Sequence, residues 1–243
     1  MNDHPKQQSR HEFKYLIDDS LLPVFTEYLE KVGMRKDEAQ GGAYPVTSVY
    51  FDTPFLGDYH DKVDGIKYRR KLRARAYQRG MLGAGPVWLE IKEKHDMNIR
   101  KIRGLVLSAD FAALLQGEWS DELARAAERD KAVRLFLYHF FAGNYRPVNV
   151  IRYERTAYVD RFLSEVRLTL DGRLETCAWR EYMDNSELLS PVFPLRTVME
   201  IKFRGAMPWW FDDLRARFAL ERVSFSKYTH AVNHLMRPLP IAR

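Results

Sequence analysis

The stretch Lys67-Tyr68-Arg69-Arg70-Lys71-Leu72-Arg73-Ala74-Arg75-Ala76-Tyr77 constrains this chain more than any other. Read with the period of two that a β-strand imposes, Lys67, Arg69, Lys71, Arg73 and Arg75 share one face, and Tyr68, Leu72, Ala74 and Ala76 the other. At ~3.3 Å per residue this cationic row runs for roughly 27 Å, with neighbouring charges about 6.6 Å apart. Such a row repels itself unless anions lie along it. Taken alone it fits either the solvated outer face of an ordinary strand or a surface that holds anions.

Other stretches repeat the design. Glu-x-Lys recurs in His11-Glu12-Phe13-Lys14-Tyr15, Leu89-Glu90-Ile91-Lys92-Glu93-Lys94 and Met199-Glu200-Ile201-Lys202-Phe203, each time with apolar residues on the opposite face. The apolar side must be packed, and the charged side must meet water or a ligand. Lys101-Ile102-Arg103, Arg152 to Arg155 and Arg167-Leu168-Thr169-Leu170-Asp171 carry the same alternation. In one closed sheet these charged faces would converge on a water-filled interior.

Taken in order, residues 9–17 read as a strand, and a helix capped by Asp19 or Ser20 runs to about Val32, stopped by Gly33. Residues 34–43 read as a loop and Tyr44 to Asp52 as a strand. The glycine cluster from Gly80 to Pro86 lacks the Gly-Lys-Ser/Thr ending of a phosphate loop and precedes a strand, so it reads as a hairpin connection. Strands follow at 87–95 and 99–107, then helices at 109–116 and 121–142 with Ser108 and Ser120 as caps. Strands resume at 148–161, 165–173 and 195–205; Pro208 opens a short helix, and Phe225-Ser226-Lys227-Tyr228 begins a last helix to about Met236. Strands on both sides of a helical insert, without β-α-β alternation, predict an antiparallel α+β fold.

With 243 residues and 46% hydrophobic content, the chain suits one large domain or two small ones. The 39 Lys and Arg against 33 Asp and Glu give +6, which points to anionic partners without separating nucleic acid, phospholipid and free phosphate compounds. Cys177 is the one cysteine, which excludes an intrachain disulfide and a cysteine zinc cluster and fits a reducing cytoplasm. No apolar run approaches the ~20 residues of a membrane span, and the polar start is not a signal peptide, so a soluble cytoplasmic protein without membrane insertion is expected. Aromatic residues do not interleave with the basic strand as in RNA-recognition modules, so nucleic acid is not an expected partner. Ser-His-Asp, Gly-x-Ser-x-Gly and His-Glu-x-x-His arrangements are missing from the sequence. His230 and His234 stand one helical turn apart with nothing else pointing to a metal, Trp209 and Trp210 read as packing, and Tyr77 suits either a nucleotide contact or the closing of a barrel. Glu200 by itself reads as a salt-bridge partner for Lys202 or another cation.

Arg10-x-Glu12-x-Lys14-Tyr15, Ser48-x-Tyr50-Phe51-Asp52-Thr53, Arg73-x-Arg75, Leu89-Glu90-Ile91-Lys92, Tyr153-x-Arg155, Val166-Arg167-Leu168-Thr169-Leu170-Asp171, Glu200-x-Lys202 and Ser226-Lys227-Tyr228 occur in one order. Together they resemble the VTC domain, the polyphosphate polymerase domain of the vacuolar transporter chaperone complex, which has bacterial members and belongs to the CYTH-like triphosphate tunnel superfamily. The likeness covers about residues 9–235 and implies a single domain over 9–237, between a polar N-terminal tail at 1–8 and a C-terminal tail at 238–243. The implied fold is α+β, an eight-stranded antiparallel β-barrel, the triphosphate tunnel, with helices outside and at the barrel end. The implied activity is transfer of the terminal phosphoryl group of ATP to a growing inorganic polyphosphate chain, with a divalent metal, Mn²⁺ or Mg²⁺. By residue, the resemblance places Arg73, Arg75, Lys92, Arg155, Arg167 and Lys202 at the reacting phosphates. It adds Lys14, Arg10, Lys71, Lys101, Arg103, Ser226 and Lys227 as phosphate-binding groups. Glu200 would hold the metal; Glu12 and Glu90 either join it or orient lysines.

The residue types suit that chemistry, because positioned cations and a metal stabilise a transferring phosphoryl group without a covalent intermediate. The nearest rival is a metal-dependent triphosphatase or polyphosphatase on the same fold. Related triphosphatases open with Glu-x-Glu-x-Lys; here Arg10 stands at the first glutamate, which favours the polymerase. A third reading is a polyphosphate-binding module without turnover. In the fungal setting the domain is tied to membrane segments that carry product away, so an unseen membrane or regulatory partner is expected here.

Overall fold

The computed structural model describes residues 10–37, 42–81, 85–96, 98–117, 119–162 and 165–236. It is a mixed α+β protein with a large, largely antiparallel sheet. The strands are β1 (Arg10–Asp18), β2 (Met34–Lys36), β3 (Ala43–Asp52), β4 (Tyr68–Ala76), β5 (Val87–His95), β6 (Asn98–Val106), β7 (Arg146–Asp160), β8 (Arg167–Ala178), β9 (Ser190–Pro191) and β10 (Arg196–Arg204). The hydrogen-bonded path runs β1-β10-β8-β7-β3-β4-β5-β6, with β2 on β7 and β9 on β8. Among the described residues this path is not closed, so the sheet matches the expected strand content without the expected closed barrel.

The chain divides into two compact units. The first comprises Met1–Tyr44, Glu154–Leu174 and Phe193–Phe225. In it β1 and β10 pair along their whole lengths, and helices α1 (Leu22–Lys31) and α7 (Phe211–Arg217) supply the packing face. Alternation decides which side is buried: Tyr15, Ile17, Met199 and Ile201 join Phe25, Leu29, Trp210, Phe211 and Leu214 in one core, and Glu12, Lys14, Glu200 and Lys202 take the other side. Trp210 is fully buried and its indole N–H donates to Asp160 Oδ2 at 3.2 Å. Trp209 beside it is 79% exposed and packs no core, contrary to the expectation for the pair.

The second unit comprises Pro45–Tyr153, Glu175–Val192 and Ser226–Arg243. Here β3 to β6 form consecutive antiparallel pairs. Val49, Phe51, Leu72, Ala74, Leu89 and Ile91 face a core completed by Phe111, Leu114, Leu123, Phe136 and Phe140 from α3 (Ser108–Leu115), α4 (Asp121–Arg129) and α5 (Lys131–Ala142). The β4–β5 pairing bears out the hairpin reading of Gly80 to Pro86, although residues 82–84 lie outside the described residues. The unit also holds α2 (Gly57–Val63), α6 (Trp179–Asp184) and α8 (Lys227–Leu235). Cys177 is buried, which pushes its thiol up to about 11 and away from thiolate chemistry.

The differences from the sequence reading are local. The expected helix over 121–142 breaks at Asp130, whose extended backbone and carboxylate cap α5 through the Ala132 N–H at 2.7 Å. Ser120 caps α4 as expected, but Ser108 starts α3 behind an N-cap at Leu107 that has no side-chain bond. Asp18, and neither Asp19 nor Ser20, caps the turn before α1. β2 forms inside the expected loop at 34–43, β8 continues to Ala178, and α2, α6 and β9 were not foreseen. The tails at 1–8 and 238–243 lie outside the described residues. Among the described residues no helix is long and apolar enough to cross a membrane.

Gly104 marks a close approach. A Cβ there would stand 2.6 Å from Val133 Cγ2 and 2.8 Å from the Val133 backbone nitrogen, so α5 starts directly over β6. Gly104→Ala is expected to destabilise the fold by roughly 1–3 kcal/mol, because the backbone must move to make room. A urea-unfolding midpoint unchanged from wild type would contradict this packing.

Candidate functional site

In the second unit the register aligns three rows across β4, β5 and β6: Lys71, Lys92 and Lys101; Arg73, Glu90 and Arg103; Arg75, Trp88 and Leu105. These rows carry six basic side chains against the single carboxylate of Glu90. Glu90 is 1% exposed and is the hub: Arg73 Nε donates to its Oε2 at 2.6 Å, Lys101 Nζ lies 2.8 Å and Arg103 Nε 3.5 Å from Oε1. Burial works against its charge, but Arg73, Arg75 and Lys101 outweigh that and hold the carboxyl well below the usual range. The self-repulsion of the row is thus offset at one point from within, by one carboxylate against six cations.

Tyr50, on β3 beside β4, accepts from Arg73 Nη1 at 3.0 Å, and Ser48 Oγ lies 3.2 Å from Arg75 Nε. Burial opposes ionisation of the Tyr50 hydroxyl, yet Arg73 and Arg75 pull it down to about 8. Burial lowers Lys71 to about 8 despite the opposing Tyr50. Lys71 donates to Ser226 Oγ at 2.7 Å, and Ser226 in turn accepts from the Thr229 N–H as the cap of α8. Lys227 Nζ lies 4.8 Å from the centre of the Tyr153 ring. Helix α8 is held by Tyr228, which stacks on Tyr50 at 5.1 Å and donates to Asp52 Oδ2 at 2.6 Å.

Asp52 is buried and also accepts from the N–H groups of Thr53, Asp58 and Tyr59. Asp58 beside it is pushed up to about 7 by burial and by the Asp52 charge, and Tyr145 reaches both its oxygens at 3.1 Å. Because the folded protein keeps this proton after the unfolded chain has released it near the ordinary value of 3.8, stability falls as pH rises from about 4 to about 7. Asp58→Asn is expected to flatten that slope in melting temperature between pH 5 and pH 7.5. A slope identical to wild type would mean Asp58 ionises normally.

In the first unit β1 and β10 bring together Glu12, Lys14, Glu200 and Lys202. Lys14 Nζ lies 3.1 Å from Glu12 Oε1 and 3.4 Å from Glu200 Oε2, Lys202 contacts Glu200 Oε1 directly, and Lys202 Nζ is 3.9 Å from Glu12 Oε2. Burial opposes the charge of Lys14, but Glu200 and Glu12 outweigh it and raise its pKa. The lysine also donates to the Phe225 carbonyl at 3.2 Å. In register with Lys14 and Glu200 sits Thr169, whose buried Oγ1 has no hydrogen-bond partner among the described residues. Arg155 grips the fully buried Asp171 at 2.6 and 2.8 Å, and Arg167 reaches Asp37 at 3.2 Å from a side chain 44% exposed. Arg10 stands opposite Arg204 in the β1–β10 ladder, and its side chain lies outside the described residues.

Alternation groups Lys71, Arg73 and Arg75 as the register does, and the Glu200–Lys202 contact matches the salt bridge expected from sequence, whereas the Arg155–Asp171 and Arg167–Asp37 pairs were not foreseen. Asp171 and Glu90 act here as counter-charges, and Tyr50, Asp52 and Tyr228 as the frame for α8; the signal available was alternation, which puts Tyr50 on the Ser48 side of β3. His230 and His234 do not act as a pair: His234 Nε2 lies 2.9 Å from Ser190 Oγ, and burial with Lys62 and Lys71 lowers His230.

Glu12 and Glu200 are hard oxygen donors, and with the unpartnered Thr169 hydroxyl in the same row they fit Mg²⁺ or Mn²⁺ bound through one or two carboxylates plus substrate phosphates. Among the described residues no three His, Cys, Asp or Glu side chains form a ready metal cage, so phosphate oxygens would have to complete the shell. Glu90, enclosed by three cations, suits orienting them rather than a metal.

An antiparallel sheet that aligns cations in rows and seats carboxylates among them presents a surface whose charge suits anions. The VTC domain family matches residues 9–236, and the chain belongs to that family. It is 25% identical to vacuolar transporter chaperone complex subunit 4 of Trypanosoma brucei brucei over 82% of this chain, and spans 29% of that relative's length. Among solved structures it resembles a Hippeastrum protein first taken for an adenylyl cyclase and found to have dominant triphosphatase activity, with TM-score 0.56, 16% identity, and coverage of 96% of this chain and 99% of that one. A candidate adenylate cyclase from Vibrio parahaemolyticus follows with TM-score 0.50 and 14% identity, covering 93% of this chain and 98% of the other. These likenesses support the fold.

Proposed function

We propose that this protein is an ATP-dependent polyphosphate polymerase. The observation that carries the reading is the excess of aligned cations over the one buried carboxylate on β4 to β6, in a chain of the VTC family. In this reading the protein works in the cytoplasm on ATP and polyphosphate. A terminal oxygen of the polyphosphate chain forms a bond to the γ-phosphorus of ATP, the bond from that phosphorus to the β,γ-bridging oxygen breaks, and ADP leaves. The attacking phosphate is already anionic, so no general base is required. Arg73, Arg75, Lys92, Lys101, Lys71, Ser226 and Lys227 bind and orient phosphate oxygens, with Glu90 fixing Arg73 and Lys101. Arg155 and Arg167 would serve the same end from β7 and β8. Glu200, with Glu12, is the assigned divalent-metal ligand, and Lys14 and Lys202 hold those carboxylates in place. When bound, the metal neutralises charge on the phosphoryl oxygens.

A triphosphatase is the second reading, favoured by the Glu12–Glu200 pair and by the activity of the Hippeastrum neighbour. Arg10 decides between them in this proposal, as a cation for the incoming polyphosphate chain. Arg10→Glu is expected to lower the ratio of polymer made to phosphate released at least about tenfold, the worth of one charge-assisted contact. An unchanged ratio, measured by gel and phosphate release on one reaction, would remove Arg10 from that role.

A further inference from the structure

The basic face of β4 does not end on a cation. Two residues beyond Arg75 stands Tyr77, 40% exposed, and its hydroxyl accepts from Arg103 Nη2 at 3.1 Å. Arg103 keeps its Nε 3.5 Å from Glu90 Oε1 while its Cζ lies over Trp88, 3.6 Å from the ring centre, and 5.5 Å from the centre of the Tyr77 ring. A separation of 3.6 Å puts the guanidinium in contact with the indole face. Three flat groups, one just past the end of β4 and two on β5 and β6, therefore gather at one end of the phosphate-binding rows, where Leu105, 43% exposed, adds apolar surface. Inorganic polyphosphate has no use for such surface. Nucleobases stack on aromatic rings and on arginine planes alike.

We propose that Tyr77, Trp88 and Arg103 form a stacking ledge for the base of a nucleoside triphosphate whose phosphates lie along Arg75 and Arg73. The inference rests on the phosphate-binding reading of those rows and adds to it a means of telling nucleotide donor from inorganic chain. From Arg73 to Tyr77 the strand advances about 13 Å, a reach suited to a triphosphate and its sugar. Arg103, expected from the family likeness to bind phosphate, is assigned to the base instead.

Calorimetric titration of the full chain with ATP and, separately, with inorganic tripolyphosphate tests this. Tyr77→Leu and Trp88→Leu should each weaken ATP about tenfold, the ordinary worth of one stacked ring, and change tripolyphosphate less than about twofold. Tyr77→Phe, which keeps the ring, should retain most of the ATP affinity and serves as the folding control. If both ligands weaken equally, or neither does, the ledge is wrong while the phosphate site stands. If wild-type protein binds neither ligand, the phosphate reading fails and the ledge with it.

Discussion

Glu90→Gln is expected to cost about 3 kcal/mol of folding stability at pH 7, the lower end of what breaking a buried ion pair costs. The lower end applies because the cations left behind are partly solvated: the side chains of Arg73, Lys101 and Arg103 are 19, 47 and 32% exposed, against 1% for Glu90. The loss should depend on pH. Arg73, Arg75 and Lys101 overcome burial to depress the Glu90 carboxyl, so its contribution is complete above the ordinary value of 4.5 and disappears as pH falls through the folded-state value. The gap between wild type and variant should therefore begin to narrow in urea-unfolding experiments as pH falls below about 4.5 and keep narrowing with further acidification. Added tripolyphosphate should raise the variant's melting temperature more than wild type's, since a bound anion replaces the missing charge. A variant as stable as wild type at pH 7 would show that the basic rows need no internal counter-charge.

Glu200→Gln is expected to reduce turnover with ATP and Mn²⁺ roughly a hundredfold or more, the effect of losing several kcal/mol of charge stabilisation at the phosphoryl group. Folding should survive, because glutamine keeps the shape of the side chain and Lys14 and Lys202 retain Glu12 as a partner. Tripolyphosphate affinity measured without metal should hold or tighten, since a negative charge has been removed. The pattern separates enzyme from binding module: a protein that only binds polyphosphate has no turnover to lose. Retention of full turnover would exclude Glu200 as the metal ligand.

Alternation made the faces legible. Period two alone places Lys71, Arg73 and Arg75 together and opposite Leu72 and Ala74, and the register confirms it by setting those cations beside Lys92, Glu90 and Trp88. The Glu-x-Lys strands behaved likewise, with Glu12 and Lys14 on the side away from the Tyr15 and Ile17 core. Pairing is a different matter. That Glu200 would meet Lys14 as well as Lys202, or that Asp171 would be spent on Arg155, depends on which strands are neighbours and in what register, and no single strand encodes that. Short elements were lost for a related reason: α2 has seven residues, too few for a helical period to emerge, and it is fixed by Asp52 and Tyr228 from β3 and α8. Arg103 makes the same point: alternation puts it in the row of Glu90, and its second neighbour, Trp88, depends on the β5–β6 register.

The most direct test of the central claim is turnover of the purified protein with ATP and Mn²⁺, with and without a short polyphosphate primer, resolving long polymer from free phosphate. The account predicts long polymer and ADP in step, both lost in Glu200→Gln and Arg73→Ala. Free phosphate without polymer, or ATP left intact by a protein that still binds tripolyphosphate, would contradict it.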